Sequence, residues 1–554
     1  MSDALLAGVS GLQAHQTMLD VAGNNLANAD TYGFKASRVT FSELLSDTLR
    51  EATQPSTKTG GTNPEQIGAG VNVASVDRNM SQGNLVYTGQ PLDMAIEGSG
   101  YFTLNDGRRE VYTRVGAFAV DSSFYLVDPA TGYRVQRTGS EGVAEGFQTS
   151  TSSDIRIPYD VALAAKATQS ITFAGNLSAD TDNPTINILS SGISYTQDEA
   201  AATGNTLLSD LDQAQGVAAG ETIHIVGIDP IGQAVDTTFT IAAGSTVSDL
   251  LDAITAAFSQ GGTNPGAKAT ISNGEIRLTD SEAGYSQTDL YLTYAGTHTF
   301  ELPSYFKCLQ VGGEDARNTN VQVFDSQGIG HVLSVTFAKC KDANTWDAVI
   351  TSVTGAAGMD GDGRRVKGMT FGKDGSFGGL GGATPDQAVF TLNFGAQGSG
   401  AQDINLNLGT IGGFNGLSQF GGTSTVAANG QDGYQAGYLS SISVSREGLF
   451  VGMFTNGVRR DIAALQLTTF QNPAGLQSEG SNYFSVSANS GDPVATKGLA
   501  GGAGSVNGGS LEKSNVDMAS EFVSLIQAQN GYQANARTIT VTTAMLRELA
   551  NLIR

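Results

Sequence analysis

Apolar positions recur every 3.5 residues at the two ends of this chain and every second residue between them. Near the N-terminus Leu5, Val9, Leu12, Gln16, Leu19, Gly23 and Leu26 alternate in steps of four and three. The same alternation runs through Met518, Phe522, Leu525, Gln529, Tyr532, Ala536, Ile539, Thr543, Leu546, Ala550 and Ile553, of which nine are apolar. A seam held this long predicts a helix that packs along another helix, as in a coiled coil. Glu512, Asp517 and Glu521 near the predicted start, with Arg537, Arg547 and Arg554 later, complement the helix dipole. Counted from Ser514, such a helix is a rod of ~60 Å. Val523, Ile526, Met545, Leu549 and Leu552 form a second apolar stripe off the seam. The shorter N-terminal helix covers one of these faces but hardly both. Either the two ends form a hairpin with a broad buried face, or, as we expect, they find their remaining partners on other subunits.

Between the rods, "PLDMAIEGSGYFTLNDG" places Leu92, Met94 and Ile96 on one face and closes on an Asp106-Gly107 turn. "GLFVGMFTNGVRRDIAALQL" predicts a hairpin whose Asn456-Gly457 pair suits a two-residue turn with positive φ at both positions. "VQVFDSQGIGHVLSVTF" (321–337) predicts another. Residues 186–300 read as an α+β unit: "ETIHIVG" and "AVDTTFTI" alternate as strands, and "TVSDLLDAITAAF" is an amphipathic helix. That helix has Val247, Leu250, Leu251, Ile254, Ala257 and Phe258 on one face and a capping-box start at Thr246 and Asp249. "ATISNGEIRLTD" turns at Asn273-Gly274. The fold class predicted is therefore multidomain: terminal α-helices pairing as a coiled coil, mainly-β central domains, and one inserted small α+β domain.

The 554 residues allow three to five domains. We expect a helical inner core (1–30 and 511–554), a connector (31–75 and 486–510) and a β-rich domain (76–150 and 431–485). Beyond these lie a β-rich outer domain (151–185 and 301–430) and the inserted unit (186–300). The 72 glycines are dispersed through turn-rich segments. With 53 acidic against 30 basic residues the net charge is −23, which argues against nucleic acid as a partner and favours solubility. Residues 511–554 carry four acids and four bases, so the negative charge belongs to the rest of the chain.

Conventional catalytic chemistry is missing from the pattern. His15, His224, His298 and His331 are far apart, and no His-Glu-x-x-His, Gly-x-Ser-x-Gly or Walker motif occurs. "GSFGGLGG" (375–382) and "GLAGGAGSVNGG" (498–509) lack the strand-to-helix setting of a phosphate loop and read as loops. His15, beside the seam, reads as an interhelical polar contact. Cys308 and Cys340 are the only cysteines, too few for a disulfide framework, although one bridge is open in an oxidising compartment. No catalytic residue, metal ligand or cofactor is expected. The opening "MSDALLAGVSGLQAHQTMLD" has no basic n-region or continuous apolar run, and no stretch approaches the length of a membrane span. This predicts a cytoplasmic protein, or one exported without a cleaved signal.

"NNLANADTYGFKASRVTF" (24–41) ends the first helical pattern with three amides and a turn. Locally this is a helix exit, since Asn and Gly accept the left-handed conformation and short polar side chains bond nearby backbone. The stretch also resembles the signature that follows the N-terminal helix in bacterial flagellar rod and hook proteins, carried here by Asn24, Asn25, Asn28, Thr31, Gly33, Phe34 and Lys35. "PLDMAIEGSGYF" with "YTRVGAF", "TNGVRRDIAALQLTTFQNPAGLQSEGSNYF" and "GGSLEKSNVDMASEFVSLIQAQNGYQANARTITVTTAMLRELANLIR" resemble that family's middle and C-terminal segments, in the same order. The length, "GFKAS" and "SNVDM" are most similar to the hook branch. "DSSFYLVDPATGYRVQRT" departs from the usual pattern, and 186–300 resembles small domains inserted into flagellin and hook-associated proteins.

The resemblance implies a structural subunit of the flagellar hook. Such a subunit self-assembles into a flexible tube, a universal joint that carries torque from the basal-body rod to the filament. It implies extracellular location, export through the flagellar type III apparatus, and no membrane insertion. The implied partners are other copies in a helical homopolymer, the distal rod protein, the hook cap protein and the hook-filament junction protein. The terminal helices would line the tube, with Leu5, Val9, Leu12, Leu19, Leu26, Met518, Phe522, Leu525, Tyr532, Ile539, Leu546 and Ile553 at the assembly interface. A junction protein, or a non-flagellar surface-exposed oligomeric β-rich protein, is the alternative.

Overall fold

The computed structural model describes residues 2–552, apart from 181–182, 260–265, 356–357, 360, 382–387 and 395–399. It is mainly β, with three α-helices among the described residues: α1 (Ser2–Ala27), α2 (Val247–Phe258) and α3 (Met518–Leu552). The chain divides into two compact units, one of residues 1–163 and 438–554, the other of residues 164–437.

The first unit is knitted from both ends of the chain. In its larger sheet the strand Tyr101–Asn105 lies beside Glu110–Thr113, Arg134–Val135 and Leu467–Thr469, and Tyr483–Ser485 pairs with Glu110–Thr113. A second sheet joins Arg137–Thr138 to the hairpin Leu449–Phe454 and Arg459–Leu465. Alternation drives Phe102, Leu104, Phe450 and Leu465 inward, and the buried Thr103 and Thr468 hydroxyls bond each other at 2.7 Å. Asn456-Gly457 does turn this hairpin, but only Gly457 has positive φ. The loop is longer than the predicted two-residue turn because Phe454 N–H bonds Val458 O, and Asn456 instead accepts from Val458 N–H.

The first unit ends at Leu163 and resumes at Tyr438. Residues 153–157 stay with the first unit because Ile155 bonds Leu126 and Val135 through the backbone and is itself fully buried. Gln431 and Tyr434 stay with the second by pairing with Ile171 and Lys166.

The second unit holds two cores. One lies around a six-stranded sheet containing Ser170–Ser178 and a five-stranded sheet running from Ala316–Phe324 to Phe377–Leu380, and is filled by Trp346, Phe173, Phe337 and Phe390. The other gathers residues 189–311 around α2, with a few side chains such as Ala338 and Val349 from the five-stranded sheet. The six apolar positions read from the α2 pattern are the six that are buried, and the Thr246–Asp249 capping box is formed. The Asn273-Gly274 hairpin is present with positive φ at both residues. Arg364 reaches Asp289 at 2.7 Å and also bonds Phe306 O, a buried ion pair joining the two cores.

Candidate assembly interface

α1 and α3 run antiparallel, with Gly8 beside Ile539, Gly11 beside Asn535, His15 over Gly531 and Asn25 bonded to Glu521. Glycine is what allows this approach. A Cβ on Gly8 would lie 3.1 Å from Ile539 Cγ1, one on Gly11 2.7 Å from Asn535 Oδ1, and one on Gly531 would overlap the His15 imidazole. The buried positions of α1 are Gly8, Gly11, Ala14, Ala22 and Asn25, and those of α3 are Ala528 and Thr542. The inside of the pair is thus built mainly of small residues. α3 starts at Met518, not Ser514, so its 35 residues span ~52 Å rather than ~60 Å.

The predicted seam lies beside this contact. Leu5, Leu12, Leu19, Leu26, Leu525, Tyr532 and Ile539 are half-buried, while Val9, Met518, Phe522 and Leu546 are exposed. Ile553 lies outside the described residues. The second stripe is uncovered in the single chain: Val523, Ile526 and Met545 are 54%, 55% and 60% exposed, and Leu549 is exposed too. Large apolar residues therefore point away from the intramolecular contact along both flanks of α3.

At the foot of the pair the motif residues divide their work. Asn24 is exposed, and Asn28 bonds it at 2.9 Å as a local helix exit, with Thr31 Oγ1 donating to Asn28 Oδ1. Asn25 is fully buried. Its amide accepts from Ser37 N–H and donates to Ser37 O and Glu521 Oε1. Gly33, at φ +67°, leaves no room for a Cβ against Val115, and its N–H bonds Glu512 O. Phe34 is half-buried and its carbonyl accepts from Asn515 N–H. Lys35 Nζ donates to Glu512 Oε1 at 2.6 Å and to Ser81 O at 2.7 Å. Burial pulls the Lys35 ammonium below its ordinary range, and the Glu512 carboxylate opposes that pull.

Sequence reasoning missed three residues here. Glu512, taken as a helix-dipole charge, is a strand residue: Ser510–Glu512 pairs with Leu85–Tyr87, and its carboxylate collects Lys35, Gly83 N–H and Arg114. Asn515 accepts from Ala36 N–H and donates to Asn79 O and Ser81 O. Arg114 also reaches Ile96 O and Gly98 O, and lies 5.2 Å from the Tyr101 ring centroid. "SLEKSN" within the C-terminal segment was the one signal available, since an acid and an amide before a helix can bond backbone elsewhere.

Cys308 and Cys340 are buried, unpaired thiols, and burial pushes Cys308 up to about 11 and Cys340 higher still. His298 pairs with Glu221, His331 with Asp325, and His224 approaches Thr238, each apart from the others. Among the described residues no group of three or more metal-ligating side chains occurs, and no helix is long and apolar enough to cross a membrane.

Four family descriptions match in chain order. "Flagella basal body rod protein" covers residues 5–35, "Flagellar hook protein FlgE/F/G D1 domain" 95–179, "Flagellar basal body protein FlaE D2 domain" 303–434, and "Flagellar basal body rod FlgEFG protein C-terminal" 507–552. Together they define the class, a flagellar rod or hook protein. Flagellar hook protein FlgE of Treponema pallidum is 32% identical and that of Borreliella burgdorferi 31% identical, each covering 100% of both chains. FlgE of Escherichia coli is 25% identical over 99% of this chain and 100% of its own. The chain belongs to the flagellar hook protein FlgE family.

Proposed function

We propose that this chain is the structural subunit of a flagellar hook, polymerising into a flexible tube that acts as a universal joint between rod and filament. One observation carries the assembly surface: α1 and α3 bury mostly small residues between them and leave a stripe of large apolar ones, Val523, Ile526, Met545 and Leu549, uncovered. In the tube those residues pack as coiled-coil seams on neighbouring copies, with the helices lining the lumen. The acidic β units repel one another weakly enough to slide while the helical core, whose C-terminal segment 511–554 carries no net charge, stays packed. Its partners are then the distal rod protein, the hook cap, the hook-filament junction protein and the type III export apparatus. The role is mechanical, with no catalysis.

Electron microscopy at rising protein concentration in a kosmotropic salt tests this. The full chain is expected to give curved tubes. Val523→Ser/Ile526→Ser removes roughly 1 kcal/mol or more of burial per site at each contact and is expected to abolish them. Monomer unfolding is expected to move by less than about 0.5 kcal/mol, as for exposed sites. Closed rings from the full chain would favour a junction adaptor instead.

A further inference from the structure

Lys35, Arg114 and Glu512 come from three distant segments of the first unit and meet where solvent is excluded. Their side chains are 1%, 5% and 0% exposed. Lys35 Nζ lies 2.6 Å from Glu512 Oε1 and Arg114 Nη1 lies 3.2 Å from Oε2. Among the described residues the carboxylate is the one anion paired with these two buried cations, and it also takes Gly83 N–H. Without it, Lys35 keeps Ser81 O and Arg114 keeps two carbonyls, but both charges are left uncompensated away from water, the costly way to break such a group. The same strand anchors the N-terminal turn through Gly33 N–H to Glu512 O, and Asn515 fastens Ala36 and the 79–81 loop. Apart from those of Arg114, each of these contacts joins the segment after α1 to the segment before α3, either directly or through residues 79–83.

We propose that Glu512 is a latch by which the strand Ser510–Glu512 orders the turn at 31–37 in the free subunit, so that the root of the α1–α3 pair is set before a second copy binds. The rods above it have no such device. Their mutual contact is made mainly by small residues and bounded by exposed apolar ones, and helices of this length gain stability chiefly by packing. The subunit then enters assembly with a fixed root and open rods, which close onto neighbours from the root outward. This rests on the proposed assembly role only for its last step; the latch itself belongs to the monomer.

Hydrogen exchange on the dilute full-length monomer tests it, because protection is read whether or not tubes form. Gly33, Ala36, Ser37 and Gly83 amides are expected to be protected, while residues 4–20 of α1 and 530–550 of α3 exchange far faster. Glu512→Gln keeps the shape but removes the charge, and is expected to speed exchange at the four root amides by roughly a hundredfold, with Trp346 fluorescence in the second unit unchanged. Lys35→Met leaves Glu512 paired with Arg114 and is expected to speed exchange less than Glu512→Gln does, and Lys35→Met/Glu512→Gln, which leaves one uncompensated cation rather than two, is expected to recover part of the protection that Glu512→Gln loses. Root amides as fast as the rods, an unaltered Glu512→Gln, or strictly additive single and double variants would each overturn the latch.

Discussion

His15 lies directly over Gly531, in a gap that only a residue without a Cβ can leave. Gly11 meets Asn535 one turn further along in the same way, whereas a Cβ on Gly23 would touch nothing within 4 Å. In an isolated helix each Gly→Ala change gains ~1 kcal/mol. Gly23→Ala is therefore expected to raise the dissociation temperature of assembled tubes. Gly11→Ala and Gly531→Ala are expected to lower it, because overlap at a packed contact costs roughly 1–3 kcal/mol and exceeds the propensity gain. The opposite sign at residues 11 and 531 would show that helix propensity, not close approach, governs this pair.

Asn25 and Asn24 are adjacent amides with unequal duties. Asn24→Ala removes one exposed local acceptor and is expected to cost under ~0.5 kcal/mol. Asn25→Ala removes three bonds and leaves the Ser37 amide without its acceptor, at a cost of ~1–3 kcal/mol. Exchange at the Ser37 amide is the measurement. Faster exchange in Asn25→Ala alone is expected, and equal effects from both variants would refute the division of labour.

Local pattern determined much of this architecture. α2 could be read down to its six buried residues and its cap, because one apolar face and one capping box suffice to specify a short helix. The Asn273-Gly274 and 321–337 hairpins were legible for the same reason, since turn chemistry and alternation act over a few residues. What escaped was long-range. A heptad count tells which face of α1 is apolar, but the face meeting α3 is selected by Gly8, Gly11 and Gly531, whose meaning depends on a partner over 500 residues away. Glu512 looked like a helix charge because its cations, Lys35 and Arg114, lie 477 and 398 positions upstream. Gln431 belongs to the second unit through its pairing with Ile171, far away in sequence, which no composition change marks.

Asp280, at the end of the strand Glu275–Asp280, gives the second unit a pH dependence of unusual sign. Its side chain is buried, Oδ1 accepts from Thr288 Oγ1 at 2.8 Å, and Oδ2 has no hydrogen-bond partner among the described residues. Burial pushes the carboxyl up to about 6, against the weaker opposing pull of Ser286, Thr288 and Arg365. An unfolded aspartate titrates near ~3.9. Between these values the folded state holds more protons, so stability falls as pH rises. The contribution is complete below the unfolded pKa and lost as pH passes about 6. Asp280→Asn keeps a neutral group of the same shape that can still accept from Thr288. It is expected to stabilise the second unit by roughly 2 kcal/mol at pH 7 and by little at pH 4. Urea unfolding followed through Trp346, the only tryptophan and fully buried in that unit, measures this directly. A wild-type midpoint that rises from pH 4.5 to 6.5, with Asp280→Asn shifting both equally, would place the buried charge elsewhere.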